Sequence, residues 1–316
     1  MKILKVVFFG TPDFSVPTLE VLANHPDVNL VSVVTMPARP AGRGQQLTPP
    51  PVAQFAKEKN IPLFQTENIN KEKAFLEDLK NKEIDIFIVL AFAQFLNNKV
   101  LDLPKIGCFN IHTSLLPKYR GAAPIQYAIL NGDETTGVCI QKMVREMDAG
   151  DLVYSKEIKI DPKENSGQLF DRLKVFAAEA VKFFLQDVLS NRLTFHTQDP
   201  MRVYFAPTLK KEDGYLKFCK KTDVEIINQI RAFNPWPSAF CFLNGKRMKV
   251  IWAEKAKNFS KVLSPGAVDI SNNQLMVGCK KGILQLQEIQ LEGKNPCSGN
   301  ELLNGIKNKN EPIILS

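Results

Sequence analysis

Asn110 and His112 lie two residues apart in the stretch CFNIHTSLLPKYRGAAP, residues 108–124, and His112 is one of only three histidines in the chain. On a β-strand, positions i and i+2 point to the same side. An amide and an imidazole held side by side make two donors aimed at one point, which suits the oxyanion that develops on a carbonyl under attack. One such donor lowers a barrier by about 3 kcal/mol. A lone histidine is also a common satisfied core residue, so the chemistry needs a third group. The later stretch VREMDAGDLVY offers Asp148 and Asp151 in a turn between two apolar runs. A carboxylate beside an imidazole can orient it and relay a proton. Asp-Ala-Gly equally suits a plain turn, and spacing alone does not choose between the two aspartates.

The elements that must position these groups are legible as patterns. KILKVVFF, VNLVSVVT, IDIFIVLA and GCFNIHTS are apolar and rich in β-branched residues, as central parallel strands are. FSVPTLEVLANH, with Pro17 in its first turn, and PVAQFAKEK, KAFLEDLK and IQYAILNG carry helical periodicity. LTPPPVA is a stiff turn. Strands alternating with helices predict a doubly wound, Rossmann-like α/β domain with a mostly parallel sheet, closed by a long helix from Ser166 to Leu189. Ligands of such sheets bind beyond the carboxyl ends of the strands, where His112 and the loop Ser114-Leu115-Leu116-Pro117 fall. FFGTPDFS follows the first strand, but Gly10 is its single glycine where a dinucleotide fingerprint needs three, and no phosphate-binding G-x-x-x-x-G-K-[ST] occurs. A nucleotide cofactor is therefore not expected.

After the long helix the pattern changes. SNRLTFHTQDPMRVYFAPTLKKEDG has weak periodicity and many turn residues, which predicts a linker. One helix follows, TDVEIINQIRAF, and then short strands with an Asn-Gly hairpin signal at residues 244–245. Several short strands predict a small β-barrel. The expected division is a catalytic domain at 1–190, a linker at 191–207 and a barrel domain at 208–316.

Composition narrows the classes. The 316 residues are 44% hydrophobic and 23% charged, ordinary for a soluble protein of about two domains. No run is apolar long enough to cross a bilayer. MKILKVVFFGTPDF lacks a small-residue cleavage site and reads as a first strand, not a signal peptide. The six cysteines are far apart with no C-x-x-C pair, so neither a zinc site nor a disulfide framework is indicated, and a cytoplasmic location with reduced thiols is expected. Residues 1–200 carry 23 basic and 23 acidic side chains, residues 201–316 carry 18 and 10, so the whole net charge of +8 lies in the C-terminal third. Such a charge draws a polyanion with salt-sensitive affinity, or forms a solvated lysine-rich face.

FFGTPDFSVPTLEVL, RPAGRGQQ, NIHTSLLPKYRGAAPIQYAILNGDETTGV, MDAGDLVY and IRAFNPWPSAF stand in the same order as in the bacterial methionyl-tRNA formyltransferase family, which the chain resembles from about residue 6 to about residue 306. N-x-H with S-L-L-P and a later D-x-G-D is common to 10-formyltetrahydrofolate-dependent formyltransferases. The RPAGRG loop is more selective for the tRNA enzymes. The resemblance implies Asn110, His112 and Asp148 as the catalytic triad and Ser114, Leu115, Leu116 and Pro117 as lining for the folate. It implies Arg39, Arg43 and Gly44 of the loop at residues 38–46 as contacts to the tRNA acceptor arm, and a basic, OB-like barrel that takes the tRNA. Its implied formyl donor is 10-formyltetrahydrofolate, its partner methionyl initiator tRNA, with no metal, no membrane and a monomeric protein. Two stretches depart from the family pattern. AQFLNNKV follows IVLAF where Tyr-Gly and an apolar-Leu-Pro turn are usual, and DGYLKF replaces an acidic-Trp ending.

Two other readings share parts of this pattern. A formyltransferase acting on an amino-sugar nucleotide shares SLLPKYRG but gives no reason for the Gly-Arg-Gly loop or the basic tail. An RNA-binding module with a retired enzyme domain explains the basic tail but has no need of Asn110, His112 and Asp148 together.

Overall fold

The buried runs of the N-terminal half form one twisted sheet. The protein is described by a computed structural model that covers residues 3–42, 44–257, 259–270, 274–305 and 315. Its contacts divide into two compact units. The first comprises the described residues up to Gly121, together with Thr136–Ile158 and Phe170–Ala206. The second comprises Ala122–Thr135, Lys159–Leu169 and the described residues from Pro207 on.

In the first half the strands are β1 (Leu4–Gly10), β2 (Val28–Thr35), β3 (Arg39–Ala41), β4 (Gln46–Thr48), β5 (Leu63–Gln65), β6 (Ile86–Leu90) and β7 (Gly107–His112). β8 (Arg120–Gly121), β9 (Thr135–Lys142), β10 (Leu152–Lys159) and β11 (Phe205–Ala206) follow. The helices are α1 (Val16–Asn24), α2 (Pro51–Glu58), α3 (Lys73–Asn81), α4 (Asn98–Leu101), α5 (Pro124–Leu130) and α6 (Ser166–Leu189). Among the described residues the main sheet runs β10-β9-β7-β6-β1-β2-β5. β5, β2, β1, β6 and β7 are mutually parallel, and β9 runs antiparallel to β7. The parallel strands are apolar along most of their length because helices cover both faces; all five residues of β6 are buried. Phe109 of β7 packs on Phe184 of α6 with ring centroids 4.9 Å apart. Phe9 packs on Phe87 and Phe92 at 5.0 and 5.3 Å.

Two segments gain structure that their patterns do not announce. RPAGRGQQ, expected as a loop, is a hairpin in which β3 pairs antiparallel with β4, Arg39 opposite Thr48 and Ala41 opposite Gln46. Its proline and glycines mask the strand signal. The segment after α6 returns to the first unit. Leu152 and His196 exchange both main-chain hydrogen bonds, at 2.8 and 2.9 Å, and β11 pairs in parallel with β8.

In the second unit, α7 (Asp223–Ala232) starts with a capping box between Thr222 and Glu225. It is followed by β12 (Phe240–Leu243), β13 (Lys246–Lys255), β14 (Val268–Asp269), β15 (Met276–Gly278), β16 (Ile283–Leu291), β17 (Cys297–Ser298) and α8 (Gly299–Gly305). Asn244 and Gly245 join β12 to β13 at φ +46° and +78°. Two positive φ values in a two-residue loop match the strand twist, and Asn-Gly is the pair that tolerates them. The antiparallel order is β12-β13-β16-β15-β14, with β17 on β16. Register shifts beside Val250 and Trp252 curl the sheet into a half-barrel. Ile226 and Ile230 of α7 fill its core together with Met248, Val250, Leu284, Leu286 and Ile289.

Phe109→Ala removes a fully buried ring from beneath the strand that carries Asn110 and His112. Urea unfolding of the first unit should show a loss of about 3–5 kcal/mol. A loss below about 1 kcal/mol would place the support of β7 elsewhere.

Candidate active site

β7 carries the pair because its neighbours differ. Its parallel partner β6 sets Val89 beside Asn110. Its antiparallel partner β9 sets Gln141 opposite Asn110 and Cys139 opposite His112. The chain then turns through residues 143–151 back to β10, and in that turn Asp148 adopts φ +52°, a left-handed conformation that aspartate tolerates better than most residues.

The Asp148 carboxylate gathers the site. Its Oδ1 accepts from Gln141 Nε2 at 2.8 Å and, more weakly, from Asn110 Nδ2 at 3.4 Å. Its Oδ2 accepts from the Gly121 N–H at 2.9 Å and lies 3.7 Å from His112 Nδ1. His112 is 6% exposed, and its Nε2 is 2.8 Å from the Tyr119 carbonyl oxygen. A carbonyl oxygen only accepts, so that contact puts the proton on Nε2. The 3.7 Å gap at Nδ1 is an ion-pair distance and too long for a hydrogen bond, which leaves Nδ1 uncommitted. Asp151, the other carboxylate of the turn, serves through its main-chain carbonyl, which accepts from the Lys142 N–H at 2.9 Å. Of the two aspartates left open by spacing, Asp148 is therefore the one against the imidazole.

Gly121 must be glycine. It sits at φ +122°, and a Cβ there would stand 2.7 Å from the Ala206 carbonyl oxygen, in the β8–β11 pairing. Neither Gln141 nor the donor role of Gly121 is readable from sequence. Both depend on strand register, although the Arg-Gly dipeptide marks the turn.

The loop Ser114–Pro117 is stiff. Ser114 is fully buried and its Oγ donates to the Lys118 carbonyl at 2.6 Å. The Lys118 N–H donates to the Leu115 carbonyl at 3.1 Å, and the Leu116–Pro117 peptide is cis. Leu116 is buried, while Leu115 and Pro117 are half-buried and keep apolar surface available. The AQFLNNKV stretch begins with Ala93 at φ +62°, two residues after Ala91 at φ +50°. Gln94 pins it, donating to the Thr66 carbonyl at 2.8 Å and accepting from the Ile69 N–H at 2.8 Å. Phe92 is buried against Phe9 and Phe95 is exposed.

No thiol on β7 or β9 is ready to act as a nucleophile. Burial pushes the Cys108 and Cys139 thiols up, so both stay protonated at neutral pH. Among the described residues no group of three or more potential metal ligands occurs.

The remaining expected contacts belong to other elements. Arg39 is exposed on β3, and the hairpin tip holds Gly42 and Gly44 at φ +67° and +92°, each with open space where a Cβ would project. Arg43 lies outside the described residues. In the second unit a groove of about 510 Å³ is lined by Lys211, Trp236, Arg247 and Lys249, among others. Trp236 is 49% exposed, and the Arg247 guanidinium rests 3.9 Å above the Phe240 ring.

Comparison with known proteins gives the family. Residues 1–183 match the family described as Formyl transferase, and residues 208–307 match Formyl transferase, C-terminal domain. The chain is 38% identical over 305 residues to the methionyl-tRNA formyltransferase of Geobacter sulfurreducens, covering 96% of this chain and 94% of that protein. It is 41% identical over 303 residues to that of Thermotoga neapolitana, covering 96% and 95%. The N-formyltransferase of Helicobacter canadensis, solved with folinic acid and dTDP-3-aminofucose, shares the fold with a TM-score of 0.67 at 20% identity, over 90% of this chain and 99% of that one.

Gly121→Ala should lower stability by about 1–3 kcal/mol through strain at positive φ and the clash with β11. It should also lower activity, because the N–H that holds Asp148 moves. Thermal unfolding and turnover measured on one preparation check both, and wild-type values in each would contradict the geometry.

Proposed function

The chain belongs to the formyl transferase family, and from that premise we propose that it transfers the formyl group of 10-formyltetrahydrofolate to the free amino group of methionyl initiator tRNA. Identity near 40% over nearly the whole length of two methionyl-tRNA formyltransferases supports the acceptor. The observation that carries the chemistry is the Asp148 carboxylate reaching Asn110 and His112 together.

The residues fit a formyl-folate. Half-buried Leu115 and Pro117 offer apolar surface to a flat ring, and the rigid loop from Ser114 to Pro117 offers main-chain groups. The donor's formyl carbon is attacked directly by the amine. Asn110 Nδ2 and the Nδ1 side of a protonated His112 face the oxygen as it becomes negative. Asp148 stabilises the imidazolium, takes the amine's proton and returns it to the folate nitrogen as the bond from that nitrogen to the formyl carbon breaks, so tetrahydrofolate leaves neutral at that nitrogen. The Nε2–H stays bound to the Tyr119 carbonyl and fixes the ring.

The tRNA is met at two places. The β3–β4 hairpin presents Arg39 and Gly44, with Gly42 and Gly44 leaving room for close backbone approach, and the family resemblance adds Arg43 as a contact. The basic C-terminal third, with Lys211, Arg247, Lys249 and the exposed Trp236 around one groove, has the charge and the stacking surface that RNA requires. Among the described residues no helix is long and apolar enough to cross a membrane. We take the protein to act in the cytoplasm as a monomer.

The direct test offers purified protein and 10-formyltetrahydrofolate both charged initiator tRNA and an amino-sugar nucleotide. Formylation of the tRNA alone is expected. Formylation of the sugar alone would keep the catalytic reading and overturn the acceptor. His112→Ala should lose at least about a hundredfold in turnover while tRNA binding holds. Near-normal turnover would end the mechanism drawn here. Arg43→Ala should weaken productive use of tRNA far more than folate binding, whereas equal losses would remove the hairpin from tRNA recognition.

A further inference from the structure

Gln198 lies in the segment that reads as a linker, yet it is 6% exposed. Its amide orientation is determined by its partners. Arg120 can only donate, and its Nε and one terminal nitrogen both reach Gln198 Oε1, at 3.1 and 2.9 Å. Gln198 Nε2 therefore points the other way. It donates to the main-chain carbonyls of Asp148 at 2.8 Å and Gly150 at 2.7 Å. It also lies 3.4 Å from Gln141 Oε1, and Gln141 in turn donates to Asp148 Oδ1. Arg120 makes one further tie to the same turn, 3.3 Å from Glu146 Oε1. One side chain thus grips the backbone on both sides of Ala149 and touches the residue that orients the Asp148 carboxylate. Asp148 itself holds a left-handed φ of +52°, a conformation that persists where its surroundings over-determine it.

We propose that Gln198, braced by Arg120, is a positioning residue for Asp148: it locks the β9–β10 turn so that the carboxylate lies between Asn110 and His112. The inference rests on the catalytic reading given above. It gives the segment following α6 a part in formyl transfer, made through Asp148 and without contact to either substrate. A turn released by an ångström shifts the carboxylate relative to both partners, and misplacements of that size cost about a hundredfold in rate.

Two variants test this in the full-length protein. Gln198→Leu keeps the volume and removes both ends of the lock. Gln198→Glu keeps the acceptor for Arg120 but sets a carboxylate against two carbonyls, and it remains informative if the leucine variant fails to fold. Each should lower kcat by about ten- to a hundredfold, with KM for 10-formyltetrahydrofolate and for charged tRNA within about threefold of wild type, and the kcat–pH profile should move. Turnover within twofold of wild type in either variant overturns the lock. So does a loss shared equally by kcat and both KM values with an unmoved pH profile, which marks a merely structural plug. If wild-type protein formylates no acceptor, it is the catalytic reading that fails, and that outcome is told apart before any variant is made.

Discussion

One carboxylate organises the active end of this protein. Asp148 accepts from a main-chain N–H, a glutamine amide and an asparagine amide, and stands 3.7 Å from an imidazole nitrogen. A half-buried carboxylate is stabilised where such donors replace part of its water. Without it, Asn110 and His112 are two polar side chains on a buried strand. With it, they become an oriented amide and an imidazole whose charged form has a counterion, placed where a carbonyl oxygen can gain negative charge.

The sheet exists, for function, to bring that carboxylate to that strand. A purely parallel sheet sends the chain away through a helix after each strand. Here β9 lies antiparallel to β7, with Lys142 opposite Phe109 and Gln141 opposite Asn110, so the turn that follows β9 starts alongside β7 and delivers Asp148 within reach of Asn110 and His112. The same antiparallel register brings Gln141 beside Asn110. β8, only two residues long, is held by β11 and supplies the Gly121 N–H from the opposite side.

Much of this was legible in the residues. The strand and helix alternation is written in apolar periodicity, and α6 spans Ser166–Leu189 as its pattern predicts. Asn244-Gly245 announces a hairpin, since positive φ at two successive positions suits few other pairs. Asn110 and His112 are visible because a polar pair on an apolar strand is costly without a purpose. What remained hidden depends on contacts between distant segments. Gln141, Gly121 and Gln198 lie far along the chain from one another, and nothing local marks them as neighbours of one carboxylate. The β3–β4 hairpin was obscured because proline and glycine weaken strand propensity even where pairing forms. The choice between Asp148 and Asp151 required the turn itself, since both lie in the same loop.

The account turns on which imidazole nitrogen is committed. The Tyr119 carbonyl holds Nε2, which leaves Nδ1, beside Asp148, to face the reacting oxygen. Side-chain nitrogen NMR of histidine-labelled protein at neutral pH tests this directly, with only three histidines to assign. The account predicts that the neutral His112 ring carries its proton on Nε2, and that Asp148→Asn perturbs the Nδ1 resonance while leaving Nε2 protonated. A ring protonated on Nδ1 alone, or one indifferent to the loss of the Asp148 carboxylate, would contradict it.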